Sequence, residues 1–160
     1  MPSRAFLRSG ATGTLGRDLL VTPFYAATSW GTLDLVTDPR EPPVQALEAV
    51  DLAVASDGDC LRQALILRLL TPVGSLGDLG HAAYGSRLHE LVGEPGTAAN
   101  RNLARSFVLQ AVAQEPRVER VLAIEVIPVL PNQTDRLQIR LTVQPVAGGD
   151  PVSLGLEVGG

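Results

Sequence analysis

The chain has 160 residues, 45% of them hydrophobic and 19% charged, with a formal net charge of −4 at pH 7. At roughly 100–200 residues per domain this predicts one domain over residues 1–160, and the apolar content excludes disorder for most of it. The acidic balance excludes nucleic acid as a partner, and no uncharged apolar run approaches the roughly 20 residues of a membrane span, so no membrane insertion is expected.

No basic region leads into an apolar core at the N-terminus, so no secretory signal is expected. The single cysteine, Cys60, can form neither an intramolecular disulfide nor a metal cluster. Folding in a reducing compartment, the cytoplasm, follows as the expectation. All thirteen basic residues are arginine, through either a GC-rich coding sequence or the value of arginine in planar, bidentate contacts.

Residues 1–45 read as an irregular N-terminal segment. Within it Leu19-Leu20-Val21 and Leu33-Asp34-Leu35-Val36 could be short strands clinging to a core made elsewhere. Val44 to Ala55 suits helix or strand, and the alternation of Val50, Leu52 and Val54 favours a short strand at 50–55. From there a helical middle is predicted. Asp57 or Asp59 can cap a helix over 59–70, with Leu61, Ala64, Leu65 and Leu69 along one face and Thr71-Pro72 closing it. After a glycine-rich stretch comes a brief helix over 86–92 that Gly93 can end. Thr97 caps a longer helix over 97–114. Leu103, Phe107, Ala111 and Gln114 form one of its stripes, Ala104, Val108 and Val112 the adjacent one, and Glu115-Pro116 stops it.

The C-terminal third switches to a period of two. Strands are predicted over 118–128, with Leu122, Ile124 and Val126 on one face, over 136–144, with Leu137, Ile139, Leu141 and Val143 inward, and over 152–158, with Val152, Leu154, Leu156 and Val158 alternating. Pro131 to Asp135 and Gly148-Gly149-Asp150 supply the turns. The fold class is therefore α+β, a helical middle followed by a three-stranded antiparallel meander.

Convergent chemistry is scarce. His81 and His89 are the only histidines, too few for a zinc site without more cysteines, so no metal or cofactor is expected. No nucleophile stands beside a base, and Asp78, Glu90 and Glu94 are near one another only in sequence. Phosphate-cradling loops follow a strand and end in Gly-Lys-Ser/Thr, whereas Gly74 to Gly85 follows a helix in a chain without lysine. Glu115-Pro116-Arg117 stands apart from this background. Proline ends the helix there and sets the directions in which a carboxylate and a guanidinium leave the surface, a geometry suited to recognition. The alternative is a helix stop with an incidental surface ion pair worth about 0–1 kcal/mol.

Several segments in fixed order bear on that choice: Leu61-Arg62-Gln63-Ala64-Leu65, Leu70-Thr71-Pro72-Val73-Gly74, Leu79 to Leu88 with its Tyr84-Gly85-Ser86, and Gln114-Glu115-Pro116-Arg117-Val118. Together, over about residues 50–145, they resemble the baseplate-wedge and sheath-initiator family of contractile phage tails, type VI secretion and extracellular contractile injection systems. The resemblance implies a non-enzymatic structural part, made in the bacterial cytoplasm and built into a contractile particle. Its partners would be baseplate wedge proteins, docked by Glu115, Pro116 and Arg117, the sheath protein, and inner tube or hub proteins. Sheath strands would add beside the last strand, making Val152, Leu154, Leu156 and Val158 the sheath-contacting candidates. The chain has Gly74-Ser75 and Ala82-Ala83 where members often carry Gly-Glu and Pro-Asp. Some relatives bear a lysozyme-like label, which makes a peptidoglycan-cleaving enzyme the rival reading.

Overall fold

A computed structural model describes residues 15–22, 34–35, 37–39, 50–130, 133–146 and 148–159. It is an α+β structure. Its strands are β1 (Arg17–Leu19), β2 (Val21–Thr22), β3 (Asp34–Leu35), β4 (Thr37–Pro39), β5 (Val50–Leu52), β6 (Val54–Ser56), β7 (Val118–Leu130), β8 (Gln133–Pro145) and β9 (Val152–Gly159). Helices α1 (Asp57–Leu70) and α2 (Ala98–Val112) lie between β6 and β7. The first six strands form three two-stranded antiparallel ribbons, β1–β6, β2–β3 and β4–β5, while β7–β8–β9 is the expected meander. Leu33, Val36 and residues 44–49 lie outside the described residues.

Alternation along β8 and β9 becomes rows of buried side chains, met on β7 by the buried Val126 and the half-buried Ile124 and Val121. Val126, Ile139 and Leu156 stand side by side across the sheet, as do Ile124, Leu141 and Leu154, and Val121, Val143 and Val152. Each fully buried Val, Leu or Ile contributes roughly 1.5–3 kcal/mol, so these rows form the heart of the core. Helix α1 packs over β9 and α2 over β7 on the same hydrophobic cluster.

Strand β7 departs from strict alternation. Its register slips between Val118 and Arg120 and again between Val121 and Ala123. Such bulges put two residues opposite one and reverse which side chains face inward. Val121 therefore packs on the core with Ile124 and Val126, while Leu122, expected beside them, is 43% exposed.

The helices correct three further expectations. Helix α1 begins at Asp57, with Ser56 in the capping position and no side-chain cap, and the Asp57 N–H donates to the Gly16 carbonyl at 3.0 Å. Between 86 and 92 only a single 3-10 turn forms, Leu88–Leu91, while Ser86 bonds to Leu69, Thr71 and Val73. In α2, capped as expected by the Thr97 hydroxyl on Asn100 N–H, the buried stripe runs through Ala104, Phe107, Val108, Ala111 and Val112. Leu103 is 46% exposed, at the edge of that stripe.

Candidate functional site

The segments singled out in the sequence meet in space. Thr71 and Pro72, just past α1, run beside Gly85 and Ser86. Ser86 N–H donates to Thr71 O at 2.8 Å, and Val73 N–H returns to Ser86 O at 2.9 Å. The buried Ser86 hydroxyl donates to Leu69 O at 2.5 Å and accepts from Leu88 N–H at 3.2 Å. The Thr-Pro turn and the Tyr-Gly-Ser element are thus two halves of one joint. This joint also sets Tyr84 beside the last turn of α1, where the Arg68 guanidinium lies 4.4 Å from the ring centre.

Arg68 connects the joint to Glu115-Pro116-Arg117. The Glu115 side chain is only 5% exposed, its Oε2 lying 3.6 Å from Arg68 Nη2 and its Oε1 2.6 Å from Arg117 Nε. Arg117 also donates from Nη1 to Leu15 O at 3.0 Å, with Cys60 Sγ 3.8 Å from the same nitrogen. The expectation that both charged groups leave the surface is therefore corrected. After α2, successive turns carry Glu115 N–H back to Val112 O and Val118 N–H back to Glu115 O, each at 3.0 Å. The corner they form folds the carboxylate inward beneath two guanidiniums. Arg117, at 28% side-chain exposure, and the exposed Pro116 remain at the surface.

Burial pushes the Glu115 carboxyl up, but the Arg117 hydrogen bond and the charges of Arg117 and Arg68 outweigh it and hold the group below the usual carboxylate range. A lowered native pKa contributes stability above the unfolded-state value, about 4.3, and loses it as pH falls through the native one. Glu115→Gln is expected to cost about 3 kcal/mol at neutral pH, the low end for breaking a buried pair, because Arg117 keeps some water. The deficit should shrink below about pH 4, where wild type loses the same charge. Urea unfolding of both proteins at neutral and acid pH checks this; a deficit unchanged by pH would contradict it.

The other sequence candidates lie elsewhere. Val152, Leu154, Leu156 and Val158 are core side chains, so any contact along β9 runs through its backbone and the exposed Ser153, Gly155 and Glu157. Arg62 Nε already donates to Ser153 O at 2.9 Å. Asp78, Glu94 and His81 are exposed, and Glu90 pairs with Arg87 at 2.7 Å. His89 Nδ1 is 3.3 Å from Ser86 O. Among the described residues no group of three or more His, Cys, Asp or Glu side chains could hold a metal ion, and no helix is long and apolar enough to cross a membrane.

Two residues of the cluster escaped sequence reasoning as site residues. Arg68 had no local signal beyond lying in the last turn of α1, where a cation suits the helix end. Gln63 sat on the buried side of α1, where a polar side chain needs partners; they come from the distant Leu19 and Val21.

Neither a protein-family model nor a curated protein matches this chain. Among solved structures, a Geobacter sulfurreducens protein provisionally described as a tail lysozyme is similar, with a TM-score of 0.50 at 18% identity, over 60% of this chain and 84% of that one. At that identity the likeness concerns the fold.

Proposed function

We propose that this protein is a structural baseplate component of a contractile tail or injection system, linking the wedge to the first sheath ring and initiating sheath assembly. The observation that carries the reading is the Glu115-Pro116-Arg117 corner. Two guanidiniums fix a buried carboxylate, and the carboxylate in turn fixes a partly exposed arginine at the junction of helix and sheet. A guanidinium held in this way loses little freedom when it meets a partner, so more of its hydrogen-bonding energy is available for docking. The shared fold with a protein described as belonging to a tail supports the same assignment.

In this reading wedge proteins dock at Arg117 and Pro116, with Glu115 as a positioning residue. Inner tube or hub proteins lie nearby in the particle. The sheath protein adds a strand at an outer edge of the meander, where β7 and β9 pair with no further strand among the described residues. Gly159 pairs with Arg136 at the end of the β8–β9 ladder, so deleting Val158-Gly159-Gly160 trims that edge without opening its middle. The truncated protein is expected to join baseplates but to start several-fold fewer sheaths, counted by electron microscopy of particles. Unchanged sheath frequency would exclude the β9 edge as the initiating surface.

The description of the Geobacter protein favours a second reading, peptidoglycan cleavage. The buried carboxylate among the described residues, Glu115, is held ionised, whereas a glycosidase acid needs a raised pKa. Purified protein is therefore expected to leave the turbidity of a peptidoglycan suspension unchanged. Clearing that is lost in Glu90→Gln or Glu94→Gln would promote the enzyme.

A further inference from the structure

Arg117 is already engaged within the chain. Its Nη1 donates to the carbonyl of Leu15, at the start of a strap formed by residues 15–22. Gly16 O then accepts from Asp57 N–H at 3.0 Å, and Arg17–Leu19 pairs with β6. The next residues run between two walls. On one side Leu20 N–H donates to Ala53 O at 2.8 Å. On the other, the amide of Gln63, buried on α1, acts as a substitute strand: its Nε2 donates to Leu19 O at 2.7 Å and its Oε1 accepts from Val21 N–H at 3.2 Å. All of these contacts read main chain, which any extended segment offers equally. Of the strap's described side chains, Leu15 reaches the core, Leu20 and Val21 are half-buried, and Arg17, Asp18 and Leu19 are exposed. A segment with few buried apolar contacts opens before the core does.

We propose that the groove floored by Cys60, Gln63 and Arg117 is a strand-binding site that the chain closes with its own Leu15–Val21 strap, and that an extended segment of a partner chain exchanges for the strap when the protein docks. The exchange releases Arg117 from Leu15 and presents it to the newcomer. This inference deepens the docking reading and rests on it for the identity of the incoming chain.

Cys60 supplies the readout. It is buried, and a methyl group placed on Gly16 would stand 3.7 Å from both its Sγ and Arg117 Nη1, so the strap covers the thiol. Gly16 has φ +92°, a conformation that strains a β-branched residue. In the full-length protein Gly16→Val is expected to label Cys60 with an aromatic disulfide about tenfold faster than wild type, with an unchanged far-UV spectrum. A millimolar synthetic peptide with the sequence of residues 15–22 should slow that labelling again. Wild-type labelling rates in a folded Gly16→Val protein, or fast labelling that the peptide leaves untouched, would overturn the proposal.

Hydrogen exchange on wild type keeps the test open if that variant does not fold. The amides of Leu20, Val21 and Asp57 should exchange about a hundredfold faster than those of Ile139 and Leu141, and equal rates would overturn the proposal. Failure of the docking reading is separately visible. If the labelling and peptide results hold while Arg117→Ala keeps its wedge partners, the strand site stands and the wedge is not what enters it.

Discussion

Gly85→Ala is expected to lower the melting temperature by about 10 °C, through two costs that act together. Gly85 has φ +114°, and a β-carbon there would stand 2.5 Å from Thr71 O and 2.9 Å from both Pro72 C and Val73 N. These are backbone atoms of the joint that the Ser86 hydrogen bonds hold shut, so they cannot swing aside as a flexible side chain would. Overpacking costs about 1–3 kcal/mol and a left-handed alanine about 1 more, and in a chain of this size each kcal/mol shifts melting by about 2–4 °C. Gly80 separates the two costs, since its φ is +83° but nothing lies within 4 Å of a β-carbon there. Gly80→Ala should lose only the conformational part, about 1 kcal/mol. Thermal unfolding of both variants checks the difference, and equal shifts would show that the close approach at Gly85 is tolerated.

The same joint shows what was legible in the sequence. Thr71-Pro72 and Tyr84-Gly85-Ser86 stood out as separate segments, but nothing local told that they touch, because the eleven residues from Val73 to Ala83 separate them in sequence. Alternation at Leu137 to Val143 and Val152 to Val158 was readable because strict pairing preserves a period of two. On β7 the period was misleading: the bulges that move Leu122 out and Val121 in are set by pairing with β8, not by the strand's own residues. Glu115 and Arg117 were visible as a pair, yet their orientation depends on Arg68 and Leu15, which are remote in sequence. Gln63 is the clearest gap. A buried amide on α1 makes sense only once the strap that it clamps is seen.

Arg117→Ala carries the largest expected effect on assembly. Loss of the guanidinium removes the bonds to Glu115 and Leu15, leaving the carboxylate with Arg68 alone, so a stability cost of about 1–3 kcal/mol is expected together with any docking defect. Interface arginines contribute about 2 kcal/mol or more, roughly thirtyfold in affinity. Arg117→Lys should recover part of the stability through its charge but little of the docking, because an ammonium cannot reproduce the planar fork. Glu115→Gln is the needed comparison, because it loosens the same corner while keeping the guanidinium. If instability alone weakened docking, Glu115→Gln and Arg117→Ala would lose partners in parallel.

The decisive measurement is quantitative co-purification of wild type, Glu115→Gln and Arg117→Ala with baseplate wedge proteins, the partners proposed for this corner, at a temperature where circular dichroism shows all three folded. A guanidinium that docks the wedge predicts that Arg117→Ala recovers at least about tenfold less partner than Glu115→Gln, in line with the energy of a single interface arginine. Equal recovery by Arg117→Ala and wild type would contradict the account and reduce the Glu115–Arg117 corner to a device for holding the fold together.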